Sequence, residues 1–457
     1  MATYLGQHAV VMGGSMAGLM TARVLADHFS QVTVIERDAI AEGPDLHKSV
    51  PHGHHFHALL IGGQRVLSDL YPGFTDRLCA LGAVRWRVGR DNPCMRPDGK
   101  TYTMALGSVR EPRDLGFDGY NQSRGLIEHC VRQCTLEIPN IRHESECSVQ
   151  ALIFEDGRVR GVRCNDPSGT RSLEADLVVD ATGRGSRAPR WLVELGYQAP
   201  EETTIGVDFG YASTKYRIPD GRETVEPLLV VFGPAPNYPS GAYLGKIENN
   251  LWHISLAGRF GDFPPTDEAG FLAFAGSLHN PIVHDLIQGA ERVADIAGYR
   301  YPTSVQRHYE RLTAFPAGFL VLGDAICSFN PVYGQGMSTA ALQARALQQV
   351  LAEQAAREED PAQLASAFFP KAAEAIATPW AFAANADLAF PQTKGERSEG
   401  TKERALYFGA LGDLMNDDID VHRLVAEVIG LAKPFSALME EPLRGRVLAQ
   451  QQKRAGA

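Results

Sequence analysis

Residues 9–19 of this chain read AVVMGGSMAGL. Four apolar residues lead into a glycine-rich turn and a helix-forming run, and a second apolar run, QVTVI at residues 31–35, ends at Glu36. A strand, a tight turn, a helix and a second strand in this order are typical of the βαβ unit that binds dinucleotides. The sequence therefore predicts an α/β domain of the Rossmann type that includes these residues.

Each residue of the turn has a physical role in that prediction. Gly13 permits the sharp turn, Gly14 adds backbone freedom, and Gly18 lets the helix pack closely on the sheet. Ser15 stands where the pattern Gly-x-Gly-x-x-Gly has its second glycine, and its hydroxyl is small enough to donate to a phosphate oxygen. Glu36 follows the glycines at the usual interval of about 20 residues and is expected to bind a ribose, with the pyrophosphate on the helix N-terminus.

A second cofactor-binding stretch, FLVLGDAICSFNPVYGQGMSTAA, lies much further along, at residues 319–341. A strand leads into Gly323 and Asp324, and an alanine-rich helix is predicted to begin near Gly336. The Asp324 carboxylate is suited to a ribityl hydroxyl, and the free N–H groups of the helix suit the pyrimidine edge of a flavin, where the reduced ring carries its negative charge. We therefore expect the two stretches to hold opposite ends of one FAD molecule.

These motifs resemble those of a known class of enzyme. The combination of Gly323-Asp324-Ala325 with Pro331, Gly334 and Gly336 resembles the second FAD fingerprint of the single-component flavoprotein monooxygenases related to para-hydroxybenzoate hydroxylase. The stretch DLVVDATGRGSR at residues 176–187 resembles their middle motif, with Thr182 in place of its acidic residue. In that class the motif is involved in the use of reduced nicotinamide. With Thr182 in place of the acidic residue, two sources of electrons stay possible: NAD(P)H or a separate flavin reductase.

A closer resemblance extends over nearly the whole chain. The segments GPDLHK at residues 43–48, LYPG at residues 70–73 and NPVYGQGM at residues 330–337 are similar to the flavin-dependent epoxidases and hydroxylases of polyketide and polyether antibiotic biosynthesis. The resemblance implies an FAD-dependent monooxygenase that inserts one oxygen of O2 by way of a flavin C4a-hydroperoxide. It favours epoxidation of a bulky apolar alkene in a natural-product intermediate, with aromatic hydroxylation as the alternative within the class.

Two functions outside oxygenation use a similar fold. A prenyl reductase would saturate an alkene, and an escort protein of the GDP-dissociation-inhibitor type would carry a lipid without catalysis. The intact phosphate turn and Asp324 argue against the escort protein, which has no use for them. A flavin halogenase is not favoured either, because the Trp-x-Trp-x-Ile-Pro signature is absent from the sequence.

The two cofactor stretches are far apart in sequence, so the domain that contains both must be discontinuous. The predicted fold is α/β, with a Rossmann-like FAD-binding domain of the glutathione-reductase type, a β-sheet substrate domain and a helical C-terminal region. Apolar and alternating runs between residues 205 and 256 predict the strands of a substrate sheet that lies over the flavin. The expected ranges are 1–75, 105–190 and 300–350 for the FAD domain, 76–104 and 191–299 for the substrate domain, and 351–457 for the helical region.

The candidate cofactor residues follow from the motifs and the resemblance. Arg124 is implied to reach the FAD phosphates, and Lys48 to lie near the pocket mouth, with a solvated surface position as the alternative for each. Arg37 is expected along the adenosine or paired with Asp38, and Val149 on the adenine or in an ordinary strand. The full set is Gly13, Gly14, Ser15, Gly18, Glu36, Arg37, Lys48, Arg124, Val149, Gly323, Asp324, Pro331, Gly334, Gly336 and Met337.

The substrate side is less well defined by the sequence. Relatives tend to carry Gln-x-Arg-His-x-His on a helix where this chain has HGHHFH at residues 52–57, so His55 is the candidate that faces the cofactor. These histidines could alternatively share a helix face and bind a metal, but no acidic ligand accompanies them and no metal site is predicted. No catalytic acid or base is assigned. Aromatic residues that either line the substrate cavity or belong to the core are Phe209, Tyr211, Phe232, Tyr243 and Trp252.

Composition sets limits on the partners. The chain has 457 residues, 44% of them hydrophobic and 21% charged, and a formal net charge of −10. That negative charge argues against nucleic acid or an anionic membrane surface as the main partner. No apolar run approaches the roughly 20 residues that span a bilayer. The seven cysteines show no paired spacing and indicate reduced thiols in a cytoplasm, with Cys130 and Cys134 on one helix face.

Overall fold

The computed structural model describes residues 4–40, 42–46, 48, 50–91, 112–222, 224, 226–233, 235–357, 364–397 and 401–456. Residues 92–104 of the expected substrate domain, residues 105–111 of the expected FAD domain, His47 and Cys94 lie outside the described residues.

Strands and helices alternate in the first part of the chain, strands dominate its middle, and helices make up its end. The strands are β1 (Gly6–Met12), β2 (Phe29–Ile35), β3 (Val84–Arg87), β4 (Asp118–Asn121), β5 (Ile141–Glu144), β6 (Ser148–Glu155), β7 (Arg158–Asp166), β8 (Gly169–Glu174), β9 (Leu177–Asp180), β10 (Glu202–Arg217), β11 (Leu228–Phe232), β12 (Gly241–Ile247), β13 (Leu251–Arg259), β14 (Glu291–Arg292), β15 (Ala297–Arg307), β16 (Phe319–Val321) and β17 (Cys327–Ser328). The helices are α1 (Met16–Leu25), α2 (Ile61–Leu70), α3 (Phe74–Ala80), α4 (Arg124–Leu136), α5 (Ala188–Glu194), α6 (Glu268–Ser277), α7 (Ile282–Ile287), α8 (Gly336–Arg357), α9 (Leu364–Leu388), α10 (Thr401–Asp417), α11 (Ile419–Ile429) and α12 (Leu443–Gly456).

A parallel sheet of five strands, in the order β16-β9-β1-β2-β5, forms the centre of the predicted FAD-binding domain. The last four residues of β1 and all four of β9 are buried, as expected for strands covered on both faces. Met12 pairs with Asp180, and Asp180 pairs with Val321, so β1, β9 and β16 end side by side. The loops that follow these strands in the three motif stretches therefore start at the same edge of the sheet. This confirms the predicted Rossmann-like fold and the convergence of its discontinuous parts.

The predicted substrate sheet is a separate, mainly antiparallel sheet in the order β11-β12-β13-β10-β15-β17, with β14 paired to β10. One face packs on α6 and α7 around Trp252, Leu256 and Phe271, which are fully buried. The other face carries a second apolar cluster. The strands expected between residues 205 and 256 are confirmed, but the sheet also contains β15 and β17, so the expected boundary at residue 300 falls inside a strand.

The C-terminal part is helical, as expected, although α8 already begins at Gly336. Helices α10 to α12 form an apolar core around Tyr407, Leu411 and Val425, and this core also includes Val88 and Leu115. The end of α9 reaches the antiparallel sheet, where Leu388 packs on its apolar cluster. Among the described residues, none of the helices is long and apolar enough to cross a bilayer.

The helix expected after Pro51 is wrong. The structure has only a 3₁₀ turn, Pro51–His54, and the backbone at His55 is extended, with φ −98° and ψ 167°. A short turn with Pro at its start and Gly in its middle lacks the residues that favour a longer helix. The extended backbone at His55 places its ring against the antiparallel sheet, so the shared helix face assumed for a metal site does not form.

Candidate cofactor and substrate site

A cavity of about 660 Å³, called the main cavity below, lies between the carboxyl edge of the parallel sheet and the antiparallel sheet. Its volume is in the range of pockets for small molecules and cofactors. All three motif stretches contribute to its wall. The expected cofactor residues that line it are Gly13, Ser15, Glu36, Arg37, Arg124, Val149, Asp324, Pro331, Gly334, Gly336 and Met337.

The glycines of the first turn have the geometry that the motif requires. Gly13 has φ +104°, and a Cβ there would stand 2.6 Å from the Ala181 carbonyl oxygen. A Cβ on Gly18 would overlap the Gly13 carbonyl oxygen, so α1 can start this close to the strand only without a side chain. Gly14 and Gly18 do not line the main cavity, and they act on the shape of the turn instead.

Glu36 is buried at the end of β2 and is already engaged with the backbone. Its two carboxylate oxygens accept hydrogen bonds from Gly14 N at 2.8 Å and from Asp38 N at 3.0 Å. Because a carboxylate oxygen has two lone pairs, each oxygen keeps acceptor capacity for a ribose hydroxyl. Glu36 therefore stabilises the turn and faces the cavity at the same time. Arg37 beside it is exposed and lines the cavity.

Ser15, Arg124 and Glu128 form a buried polar cluster at the start of α1. Ser15 Oγ donates to Glu128 Oε2 at 2.6 Å and accepts from Arg124 Nη2 at 2.8 Å. Arg124 Nη2 also pairs with Glu128 Oε2 at 2.6 Å, with both side chains 3% exposed. Arg124 Nη1 is buried and has no partner within the described part of the chain. A guanidinium nitrogen without a partner beside a helix N-terminus is suited to a phosphate.

Asp324 and Arg184 both line the main cavity and interact electrostatically. Burial raises the pKa of the Asp324 carboxyl to about 6, and Arg184 and Arg124 oppose the rise. Of the residues the structure describes, none donates a hydrogen bond to the Asp324 side chain. Arg184 Nη1 donates to Tyr301 Oη at 3.0 Å and to Ser328 Oγ at 2.7 Å. The Asp324 carboxylate thus retains its acceptor oxygens for a ligand, as a ribityl hydroxyl would require.

The segment 330–337, called the 330–337 loop below, leads into α8. Gly334 has φ +63°, which favours glycine, and the Asn330 side chain accepts from Val332 N at 3.2 Å. Tyr243 Oη of the antiparallel sheet donates to the Val332 carbonyl and joins the loop to the sheet. Gly323 has φ +75° and packs against Ala17, so it shapes the strand end without lining the cavity.

The antiparallel sheet supplies the opposite wall. His55 is 5% exposed, and its ring stacks on Tyr211 with 5.3 Å between centroids. Its Nδ1 lies 2.7 Å from Ser213 Oγ, whereas its Nε2 is buried without a partner in the described residues. Burial, with smaller contributions from His253, His52 and His54, lowers the pKa of His55 to about 3. The imidazole is therefore neutral near pH 7.

Only part of the expected aromatic lining is correct. Tyr211 and Tyr243 line the main cavity, whereas Phe209, Phe232 and Trp252 do not. Trp252 points to the opposite face of the sheet, because side chains alternate along a strand. Phe209 shares the face of Tyr211 but lies under the Arg259 guanidinium, 4.6 Å from its ring centroid. Phe232 lies behind Tyr243, with 5.1 Å between the ring centroids.

The structure also locates two further residues predicted to bind the cofactor and adds lining residues that were not predicted. Lys48 is exposed and does not line the main cavity, which agrees with its surface alternative. Its place near the pocket mouth stays a prediction. Val149 lies in the strand pair opposite Cys164 and also lines the cavity. Lining residues that the sequence did not single out include Arg184, Arg187, Tyr299, Tyr301, Ser255 and Gln335. Arg184 and Arg187 stand in the middle motif, which could have indicated them.

The main cavity contains donors and acceptors of the kinds that a flavin dinucleotide requires. Glu36 and Val149 suit the adenosine, Arg124 and the start of α1 suit the pyrophosphate, and Asp324 suits the ribityl chain. Beyond Asp324, the start of α8 presents free backbone N–H groups to a ring. Arg124 Nη1 in particular is a buried donor without an acceptor among the described residues, as a site for a phosphate oxygen would require.

Solved structures with a similar fold include flavin-dependent enzymes. The flavin-dependent brominase Bmp2 superposes with a TM-score of 0.66 at 14% identity, over 98% of this chain and 100% of that chain. A flavoprotein/dehydrogenase from Cytophaga hutchinsonii gives 0.67 at 17% identity, over 98% and 100%. The p-nitrophenol 4-monooxygenase PnpA from Pseudomonas putida DLL-E4 gives 0.64 at 17% identity, over 95% and 100%. The protein thus has the fold of flavin-dependent monooxygenases and halogenases.

A nearer relative is found by sequence. Protein Rv3254 of Mycobacterium tuberculosis (strain ATCC 25618 / H37Rv) is 33% identical over 356 residues, which cover 75% of this chain and 73% of the relative. The chain belongs to the family of Protein Rv3254. No protein-family model matches the sequence.

Proposed function

We propose that this protein is an FAD-dependent monooxygenase that transfers one oxygen atom of O2 to a small organic substrate. The observation that carries the proposal is the convergence of the Gly13 turn, Arg124 and Asp324 on one cavity whose opposite wall is an aromatic-rich sheet. The fold shared with flavin-dependent enzymes supports it. FAD, when bound, supplies the reduction of O2 and the transfer of oxygen.

The residues of this chain would bind FAD, orient the substrate and enclose both. Arg124 and the α1 N-terminus would neutralise the pyrophosphate, while Glu36 and Asp324 would hold the sugar hydroxyls. The N-terminus of α8 would stabilise negative charge on the reduced ring. The aromatic wall would exclude water and hold the substrate within reach of the cofactor. The FAD-binding domain is accordingly proposed to comprise residues 1–75, 105–190 and 300–350. Within the last range, β17 and most of β15 pair with the substrate sheet.

Two oxidations are compatible with this arrangement. Epoxidation of an alkene in a natural-product intermediate follows from the resemblance to the antibiotic-pathway epoxidases. Hydroxylation of an electron-rich ring is supported by a specific observation: the His55 Nε2 and Tyr211 Oη atoms in the wall are buried, with no partner among the described residues. An apolar alkene would leave both polar atoms unsatisfied, at a cost of about 1–3 kcal/mol each.

The decisive experiment measures oxygen transfer directly. Purified protein is assayed for bound FAD, then for substrate-dependent O2 uptake and oxygen-18 incorporation across a panel of alkenes and phenols. Reducing equivalents come from NADH, NADPH or a separate flavin reductase in parallel reactions. We expect one labelled oxygen per product. A saturated product without O2 uptake would identify a reductase, and a protein that binds lipid but no FAD would identify an escort protein.

A further inference from the structure

A second cavity, with a volume of about 350 Å³, lies on the antiparallel sheet beside the main cavity. Strands β10 and β13 line it with Ser213, Thr214, Lys215 and His253. The rest of its lining comes from segments within residues 44–54 and 294–297 and from the start of α4. Its volume lies at the lower end of the range for small-molecule pockets. None of the residues proposed to bind FAD is in this lining, so the second cavity is a different site.

Lys215 and His253 stand directly opposite each other on β10 and β13. Residues paired in this way on antiparallel strands point to the same face of the sheet, with their Cβ atoms about 4.5–5.5 Å apart. Lys215 is half-buried, and its ammonium group forms no ion pair with a carboxylate in the described part of the chain. The second cavity therefore has an unpaired positive charge and an imidazole side by side in its wall.

The hydrogen bond that His253 makes with the turn before β13 in space determines where its proton lies. His253 Nε2 is 3.0 Å from the carbonyl oxygen of His54, which can only accept, so Nε2 carries the proton. Burial, followed by the charge of Lys215, lowers the pKa of His253 to about 3, so the ring is neutral near pH 7. Nδ1 is consequently an acceptor, and it is buried without a partner among the described residues. A ligand that donates to Nδ1 would complete the hydrogen bonding of this side chain.

The acidic residues that line the second cavity lie at its solvent side. Asp45 and Asp295 are exposed, and the Asp295 carboxylate lies 4.0 Å from Arg292. Because water and salt screen exposed charges, these carboxylates oppose an anion inside the cavity only weakly. The N-terminus of the 13-residue helix α4, which is the positive end of its dipole, also contributes to the lining. The charges of the second cavity therefore favour an anion beside Lys215.

We propose that the second cavity binds a protonated phosphate group, either as inorganic phosphate or as a phosphate monoester. The Lys215 ammonium has only donors and His253 Nδ1 only accepts, so the ligand has to present an anionic acceptor and a donor close together. A phosphate that keeps one O–H has both, with its anionic oxygens toward Lys215 and its O–H toward Nδ1. Sulfate has the charge and the acceptors but no donor. The proposal concerns a site separate from the FAD cavity and does not require oxygen transfer.

The test measures anion binding by equilibrium dialysis of FAD-loaded protein against radiolabelled phosphate or sulfate. It is carried out near pH 6 at constant ionic strength, because a phosphate monoester is about half protonated there. FAD fills the phosphate-binding groups of the main cavity, and its absorbance reports the loading. We expect the wild type to bind phosphate at least about tenfold more tightly than sulfate, which places a further acceptor against Nδ1. Glycerol 3-phosphate replaces inorganic phosphate in a parallel arm, and the tighter ligand shows whether the site takes free phosphate or an ester.

Two variants and a matched control assign the binding to this cavity. Lys215→Met keeps the apolar stem and should weaken both anions at least about tenfold. His253→Phe removes the acceptor and should reduce the preference for phosphate over sulfate to less than about threefold. Lys394→Met is the control, because Lys394 is an exposed lysine that lines neither cavity. It should bind both anions as the wild type does.

Equal binding of phosphate and sulfate by the wild type would overturn the proposal, as would phosphate binding that Lys215→Met leaves unchanged. Should His253→Phe fail to fold, these two comparisons decide the question. Lys215 lines the second cavity and not the main cavity, so its variant reports on this site with or without bound FAD. A negative result here leaves the proposed function standing, whereas a protein without FAD absorbance contradicts the proposed function and not the phosphate site.

Discussion

The Arg259 guanidinium donates a 2.8 Å hydrogen bond to the Asp387 carboxylate, and the two side chains are 5% and 1% exposed. Asp387 Oδ1 also accepts from Asn330 Nδ2 at 3.0 Å and from Tyr333 Oη at 2.8 Å. The pair thus joins β13 and α9 to the 330–337 loop, which lines the main cavity. A buried charge pair of this kind specifies one arrangement of its surroundings, because each charge is costly without the other.

Loss of Arg259 is expected to destabilise the protein strongly. Arg259→Met leaves the Asp387 carboxylate buried without its charged partner, which costs about 3–5 kcal/mol, and urea unfolding monitored by circular dichroism measures the change. The control is Arg190→Met, which breaks the Arg190–Glu194 pair with side chains 78% and 51% exposed. That variant should lose less than about 1 kcal/mol. Equal losses in the two variants would show that burial of the first pair is unimportant.

Asp324 is expected to reduce stability at neutral pH. Its folded-state pKa of about 6 lies above the unfolded value of about 3.9, so the folded state binds more protons between these values. The stability that this group contributes is complete below the unfolded pKa and is lost as pH rises through about 6. Asp324→Asn removes the penalty, and the FAD-free variant should gain up to about 3 kcal/mol at pH 8 and roughly half as much at pH 5.

Urea unfolding at the two pH values measures this gain. The same variant should bind FAD more weakly in a fluorescence titration, because an amide is a poorer acceptor for the sugar hydroxyls than a carboxylate. A gain that does not depend on pH would contradict the assignment of the raised pKa to Asp324.

Arg124 is expected to serve both stability and binding, and a double variant separates the two roles. Arg124→Met leaves Glu128 buried with less compensating charge and should cost about 3 kcal/mol. Arg124→Met with Glu128→Leu removes both charges and should recover most of that loss. FAD affinity should stay at least about tenfold below wild type in both, because the donor to the phosphate is absent. Recovery of FAD affinity in the double variant would sink the phosphate-binding role.

The first turn is expected to require glycine for lack of space as well as for its backbone angle. Gly13 and Gly157 both have positive φ, +104° and +78°, but only Gly13 has neighbours within 4 Å of an added Cβ. Both alanine variants meet the left-handed strain of about 1 kcal/mol. Gly13→Ala must in addition displace the Ala181 carbonyl at the cavity edge and should lose FAD, whereas Gly157→Ala should retain stoichiometric FAD by absorbance. Loss of FAD from both would mean that global strain, and not the local contact, is responsible.

The βαβ unit, the discontinuous parallel sheet and the beginning of α8 near Gly336 could all be predicted from the amino-acid sequence. These features depend on local spacing: the turn after Met12, the strand before Gly323 and the apolar runs of each strand can be recognised from neighbours in the chain. The convergence of Gly13 and Asp324 was also predictable, because parallel strands carry their following loops to one edge of a sheet. Arg124 follows β4, which lies outside the parallel sheet, and its place was implied only by the resemblance.

The side chains that reach the main cavity could not be predicted from the sequence, because they depend on how distant elements pack together. Trp252 and Ser255 lie on one strand but face opposite sides of the sheet, and a run of apolar residues does not reveal which side is covered by helices. The ring of His55, the hydroxyl of Ser213 and the pair of Arg259 with Asp387 meet across 158 and 128 residues of sequence. Such contacts depend on how the two sheets and α9 pack together, because no local pattern in the chain encodes a hydrogen bond between distant side chains.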